Sequence, residues 1–386
     1  MKILYDIAMP YADAFFSSLG EAKAFESGSL SCEALIDIDA LFVRSTTKVD
    51  AELLQKANKL QFVATATAGV NHLNIDYLEQ NNVKWYAAGG CNATAVAEYV
   101  MSAIFQLASE DKFDPFIKKV AIIGAGNVGT ALAGILKGLQ INCVLCDPPL
   151  QKMGDQRSFV NFAAAMQADI ICLHTPLVTK GDFSTLHMFG NAELLRLSEH
   201  QYLINACRGE VIDNDALLSC FEMGKKLNVV LDVWENEPLI KHELIPHVRI
   251  ATAHIAGHTL EGKARGTSMV YDAFCRHFNK QDVLKLEQFL PDFKKNLCVD
   301  PSFSPFKQLF QMVKYMYDIK KDDGIFRARM AKSEAFADIR KHYPVRREFS
   351  AAQTEFSADV AHIKNNKSVA QNVAQIAASI GFKIAN

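Results

Sequence analysis

The chain has 386 residues, 49% of them hydrophobic and 22% charged, with a formal net charge of −2, which suits two or three domains with a sizeable core. So even a charge balance gives no bulk electrostatic reason to expect nucleic acid or an anionic membrane as partner. No apolar run reaches membrane-spanning length, and the first residues, interrupted by Asp6, Pro10 and Asp13, lack a secretory apolar region with a cleavage site, so a soluble, cytoplasmic protein is expected.

Residues 2–62 alternate short apolar runs, Ile3-Leu4-Tyr5 and Ala40-Leu41-Phe42-Val43, with polar helical stretches, as in a small α/β unit. Phe62 to Gly69 reads as a strand running into a glycine-containing loop. Ala93 to Ala108 has helical spacing through Val96, Val100, Ile104 and Leu107. A second series starts at Lys119, with apolar runs at Val120–Ile123, Ile141–Cys146, Asp169–Leu173, Tyr202–Ile204, Val229–Leu231 and Val248–Ala251. Helical spacers separate them, among them Ala131 to Leu139 and Asn214 to Met223. Strands alternating with helices imply a parallel sheet, because parallel neighbours need crossover connections, and strands covered on both faces are continuously apolar. A helix is expected from about Leu260 to Phe278, then a change of character near Leu290-Pro291, followed by a helical stripe of Phe306, Leu309, Phe310, Val313, Met316 and Tyr317.

Nine cysteines are scattered along the chain, several within apolar runs (Cys143, Cys146, Cys172, Cys207). Free thiols in a reducing compartment fit this usage. Cys143 and Cys146 form a C-x-x-C with no second ligand pair nearby, so buried strand cysteines are expected there, and no metal.

Gly124-Ala125-Gly126-Asn127-Val128-Gly129 follows one expected strand and opens a helix. In that context the first glycine allows the tight turn, the second lets a pyrophosphate approach the backbone, and the third lets helix and strand pack closely. Asp147 ends the next strand, where a carboxylate binds adenosine ribose hydroxyls and repels a 2'-phosphate, so NAD is favoured over NADP. Thr175 and Asp232 end further strands of the same series, at the edge where open α/β sheets bind ligands; Thr175 meets the cofactor or only forms the turn before Pro176, and Asp232 binds the nicotinamide carboxamide or only caps a loop. Arg208, Glu237 and His254 lie at or near strand ends as well. Singly, they read as a solvated turn, a loop residue before Pro238 and a core histidine. Together they form a chemical set: Arg holds a carboxylate, Glu orients an imidazole, and His moves a proton while a hydride leaves the same carbon.

The strings Val43-Arg44-Ser45, Thr65-Ala66-Thr67-Ala68-Gly69, Gly90-Cys91-Asn92-Ala93, Leu145 to Pro149, Asn205 to Gly209 and Leu260 to Thr267 give the chain a close resemblance to the D-isomer-specific 2-hydroxyacid dehydrogenases, within them to a subgroup of pyridoxine biosynthesis. The resemblance is strong over about residues 1–290 and weaker beyond. It implies an α/β fold: two Rossmann-like doubly wound parallel-sheet domains (1–93 with 257–289 for substrate, 94–256 for NAD) plus a C-terminal α+β dimerisation domain, 290–386, and a homodimer. It implies oxidation at C2 of 4-phospho-D-erythronate, a phosphorylated four-carbon sugar acid, with Arg208, Glu237 and His254 as the catalytic set. Ser45 and Thr67 would contact substrate. Asp147, Thr175, Asp232 and Gly257 would contact NAD, with Ala206, Cys207 and the glycine-rich segment Gly124 to Gly129. His258 stands where the subgroup has a substrate-contacting Tyr. For the substrate phosphate, Arg44, Ser45 and Lys48 are expected, with Lys263 or Arg265 as helpers. The rival reading is another D-2-hydroxyacid dehydrogenase, such as one acting on 3-phosphoglycerate.

Overall fold

The computed structural model describes all residues except 282, 294–296, 301, 333–334, 357–366 and 385–386. Parts of the expected C-terminal domain therefore lie outside the described residues. The chain divides into two compact units, Met1–Asn92 with His258–Asp292, and Ala93–Gly257 with Phe293–Asn386.

The first unit is a parallel sheet of β1 (Lys2–Asp6), β2 (Glu21–Phe25), β3 (Ala40–Val43), β4 (Phe62–Thr65) and β5 (Lys84–Ala87), in the order β2-β1-β3-β4-β5. β3 and β4 are buried throughout, as strands with both faces covered must be. The polar stretches between the early strands hold β2, the five-residue helix Ala12–Phe16 and single turns of 3-10 helix, not the longer helices that their composition suggests. The helix Leu260–His277 comes from far along the chain to cover one face. Thr259 caps it by accepting the Gly262 N–H at 3.0 Å. Its Phe274 ring packs 5.7 Å from Phe42 and 5.8 Å from Phe62, and Gly266 lies against the Ala66 carbonyl, where a Cβ would come within 2.3 Å of the oxygen.

The second unit contains β6 (Val120–Ile123), β7 (Cys143–Cys146), β8 (Ile170–Leu173), β9 (Tyr202–Asn205), β10 (Asn228–Leu231) and β11 (Ile250–Ala251), in the order β11-β10-β9-β8-β6-β7. One isolated parallel bridge, Leu145 to Phe159, lies beyond β7. Counted as a rudimentary strand, it completes the 3-2-1-4-5-6 order of a dinucleotide-binding sheet, with β11 as a seventh strand beyond it and the switch point between β6 and β8. Burial raises the Cys143 thiol and pushes Cys146 up to about 11, which keeps this pair protonated and unreactive.

The helix Ala93–Asp111 is buried on nearly all sides, including Tyr99, Ser102 and Phe105, which lie off the apolar stripe read from sequence. The reason is tertiary: Asn127–Gly138 packs on one side of it, and Pro305–Met316 and Ile319–Met330 pack elsewhere along it. The C-terminal segment adds a small parallel sheet of β12 (Leu297–Val299), β13 (Gln353–Phe356) and β14 (Lys383–Ile384), in that order. It also covers the open edge of β11. Asp323 Oδ1 accepts the Ala251 N–H at 2.8 Å, and Arg327 Nη2 donates to the Val248 carbonyl at 2.8 Å, so side chains satisfy backbone groups that an edge strand leaves unpaired.

Candidate active site

The glycine-rich turn follows β6 with the geometry that its glycines permit. Gly124 has φ +93°, and a Cβ there would sit 2.5 Å from the His174 carbonyl carbon; at Gly129 it would sit 2.1 Å from the Gly124 oxygen. At Gly126 it would meet nothing within 4 Å. The outer two glycines therefore serve packing, and the middle one leaves room for a ligand beside the first N–H groups of the helix Asn127–Gly138, whose N-cap Gly126 provides no side chain. Asn127 is exposed and Val128 half-buried. Asp147 Oδ2 accepts the Ala125 N–H at 2.7 Å, and Oδ1 accepts that of Leu150 at 3.0 Å. This carboxylate ties the glycine-rich turn to the end of β7 and keeps lone pairs for sugar hydroxyls. The chain thus has what an NAD pyrophosphate and ribose need.

At the end of β8, Thr175 is half-buried and His174 is 8% exposed. Neither His174 ring nitrogen has a hydrogen-bond partner among the described residues, and burial pushes its pKa down to about 4. It is a neutral, buried ring, and its backbone lies against the glycine-rich turn at Gly124.

Arg208, Glu237 and His254 follow β9, β10 and β11 in the same unit. Fully buried Asn205 shapes the first turn: Nδ2 donates to the Arg208 carbonyl at 2.9 Å, and Oδ1 accepts the Cys207 N–H at 3.2 Å. Ala206 and Cys207 are both buried. Arg208 Nη1 donates to the Cys207 carbonyl at 2.6 Å. Glu237 folds back so that Oε1 accepts the Trp234 N–H at 3.0 Å, which aims Oε2 at His254 Nδ1, 2.7 Å away. The carboxylate sets which ring nitrogen carries the proton and leaves Nε2 for chemistry. The Arg208 and Glu237 loops meet backbone to backbone, since a Cβ on Gly209 would lie 1.9 Å from the Trp234 carbonyl carbon.

Asp232 is 1% exposed. Its Oδ1 accepts the Thr252 hydroxyl at 2.7 Å and the Ile255 N–H at 2.8 Å, and its Oδ2 accepts the Ala256 N–H at 2.9 Å. Its visible work is to hold the backbone around His254, up to the half-buried Gly257. Thr252 is held in turn by Tyr99, whose hydroxyl lies 2.7 Å from it.

In the first unit, Arg44 and Ser45 follow β3, and Thr67 follows β4. Arg44 is half-buried, while Ser45 and Lys48 are exposed. Lys48 pairs with Asp50 at 2.7 Å. The hydroxyls of Thr65 and Thr67 are 2.8 Å apart, and His72 Nε2 lies 2.9 Å from Thr65 Oγ1. Arg265 Nη1 donates to the Cys91 carbonyl at 2.6 Å, so it braces the turn before Asn92. His258 opens the return of the chain into this unit and is half-buried.

Sequence reasoning missed one cluster. His187, Asp213 and Glu235 bring ligand-type atoms within 4.8 Å of one another. The ring spans the acids, with Nε2 2.5 Å from Glu235 and Nδ1 3.6 Å from Asp213. Glu235 also accepts the Asn214 N–H at 2.9 Å, and Asp213 that of Ala216 at 2.9 Å. The cluster ties the loop after Arg208 to the loop carrying Glu237. Forty-eight residues separate His187 from Glu235, and no local pattern joins them.

Residues 97–256 match the NAD-binding domain model of the D-isomer specific 2-hydroxyacid dehydrogenases, and residues 294–369 match a domain of unknown function. Among solved structures, the chain resembles NAD-bound 3-phosphoglycerate dehydrogenase of Entamoeba histolytica (TM-score 0.61, 22% identity, covering 75% of this chain and 99% of that one). It also resembles NAD-dependent formate dehydrogenase of Staphylococcus aureus in complex with NAD (TM-score 0.56, 23% identity, 72% and 96% covered). At such identities these likenesses establish the fold. Sequence relatives are much nearer: erythronate-4-phosphate dehydrogenase of Pseudoalteromonas atlantica is 49% identical over 91% of this chain and 94% of its own. That of Proteus mirabilis is 46% identical over 92% and 94%. A chain with this sheet, this glycine-rich turn and near full-length identity to such relatives belongs to the erythronate-4-phosphate dehydrogenase family, among the NAD-dependent D-2-hydroxyacid dehydrogenases.

Proposed function

We propose that the chain oxidises 4-phospho-D-erythronate at C2 to (R)-3-hydroxy-2-oxo-4-phosphooxybutanoate, in pyridoxine biosynthesis, as a cytoplasmic homodimer. The observation that carries the chemistry is the 2.7 Å bond between Glu237 and His254, in loops that follow strands of the sheet bearing the glycine-rich turn. His254 Nε2 takes the C2 hydroxyl proton while the C2–H bond breaks. Glu237 accepts from Nδ1 and stabilises the ring as it gains charge. Arg208 grips the substrate carboxylate by its fork and polarises the forming carbonyl. NAD, when bound, accepts the hydride at nicotinamide C4. Gly124, Gly126, Asn127, Val128 and Gly129 would hold its pyrophosphate and Asp147 its adenosine ribose, with Thr175, Ala206, Cys207, Asp232 and Gly257 completing its surroundings. Assignment of Arg44, Ser45, Thr67 and His258 to substrate rests on sequence; the cation and hydroxyls suit a phosphorylated hydroxy acid.

Mixing pure protein with NAD and 4-phospho-D-erythronate, D-3-phosphoglycerate or D-lactate, and following nicotinamide absorbance, tests this reading. Turnover favouring the four-carbon phosphate is expected. Preference for 3-phosphoglycerate would overturn the substrate assignment, and no turnover of any acid would overturn the reaction.

A further inference from the structure

His254 has φ +55°, a left-handed conformation that a residue with a side chain holds only where its surroundings over-determine it. The surroundings are two-sided. On the donor side, the sheet supplies acceptors: the His254 N–H donates to the Asp232 carbonyl at 2.6 Å, and the Ile255 and Ala256 N–H groups donate to the Asp232 carboxylate at 2.8 and 2.9 Å. On the acceptor side, the partners come from the C-terminal segment. Arg340 Nε donates to the His254 carbonyl at 3.2 Å, and Arg346 Nη2 donates to the Ala256 carbonyl.

Arg346 is itself fixed. It is 6% exposed, packs over the Tyr317 ring at 4.3 Å, and donates from the same Nη2 to the Ala95 carbonyl at 3.2 Å. Three residues on, the Phe349 N–H donates to Glu98 Oε1 at 2.9 Å, so this stretch is anchored to the helix Ala93–Asp111 at two points. A planar guanidinium bridging two carbonyls transmits that anchorage to the loop as a lysine could not, because its donors have fixed directions.

We propose that Arg340 and Arg346 are positioning residues for His254, so that the C-terminal segment, which contains the matched domain of unknown function, sets the backbone on which the general base is mounted. With the carbonyl side released, the loop keeps its Asp232 bonds and relaxes about His254, which swings Nδ1 from Glu237 and Nε2 from the position it needs.

This inference rests on the proposed role of His254, and its test separates the two. Arg340 is half-buried, so Arg340→Met and Arg340→Lys should fold, which the thermal midpoint checks. Hydrogen exchange of the peptide covering Thr252 to Gly257, kcat with 4-phospho-D-erythronate at saturating NAD, and NAD affinity are then compared. In Arg340→Met, faster exchange confined to that peptide is expected, with kcat about tenfold lower, as for one lost hydrogen bond at a catalytic loop, and NAD affinity unchanged. Arg340→Lys should restore most of both losses. Unchanged loop exchange in folded Arg340→Met overturns the proposal whatever the substrate, and so does faster exchange with kcat unchanged. Absence of wild-type turnover contradicts the substrate assignment instead, and exchange alone then decides whether Arg340 holds the loop.

Discussion

The carboxyl ends of the two large sheets carry different kinds of polar group. In the second unit three of them are buried and engaged: Asn205, Asp232 and Thr252 are at most 1% exposed, and each bonds to a strand end or loop. In the first unit the candidates sit in short turns, with Ser45 exposed and Arg44 and Thr67 half-buried. Both sheets obey the same rule, that ligands meet the ends of parallel strands. On the proposed roles, the difference separates chemistry from recognition. An acid–base pair must be held to fractions of an ångström, whereas contacts that select a substrate tolerate a softer mounting.

Substitutions in the two units should accordingly fail in different ways. The largest loss is expected for Asp232→Ala, which strips acceptors from Thr252, Ile255 and Ala256: roughly 3–5 kcal/mol of stability from buried donors left unpaired, read from the urea midpoint, together with a fall in kcat. A wild-type midpoint would show that the His254 loop does not depend on this carboxylate. Next comes pH. The His174 pKa is pushed down to about 4 by burial, so the unfolded chain binds a proton between about pH 6.5 and 4 that the folded protein refuses. Stability should be complete above pH 6.5 and fall by roughly 3 kcal/mol as pH drops to about 4. His72 in the first unit is likewise pushed down to about 4 and is less buried, so its share is smaller. In His174→Gln the loss between pH 7 and 4.5 should shrink; an unchanged profile would remove His174 as its source. The smallest effect belongs to the softer mounting. Arg44→Ala should raise KM for the phosphorylated acid about tenfold while leaving kcat and stability nearly untouched, as for one charge-assisted contact in recognition. A kcat defect at unchanged KM would reverse the contrast between the two units.

Much of this site is legible in the sequence wherever the signal is local. The glycine-rich turn, Asp147 and the apolar strands of the second unit are contiguous patterns, and Arg208, Glu237 and His254 stand out by residue type at strand ends. Strand β2, Glu21–Phe25, is not legible, because an edge strand with one side open to water carries no continuous apolar run. Nor is the task of His187. Asp232 reads from its position as a ligand contact or a loop cap, and its carboxylate meets backbone twenty-three and twenty-four residues ahead. The helix Ala93–Asp111 shows one stripe in sequence and is covered on more, because helices from residues 305–330 pack on it. Arg340 and Arg346 lie eighty-six and ninety residues beyond the carbonyls they hold. Only tertiary folding pairs such residues.

The most direct test of the site is single-turnover formation of NADH from 4-phospho-D-erythronate by wild-type protein and His254→Asn, with NAD affinity measured alongside. If His254 is the base oriented by Glu237, the rate should fall by roughly 10²- to 10⁴-fold with NAD affinity unchanged. A near-normal rate in His254→Asn would contradict that role.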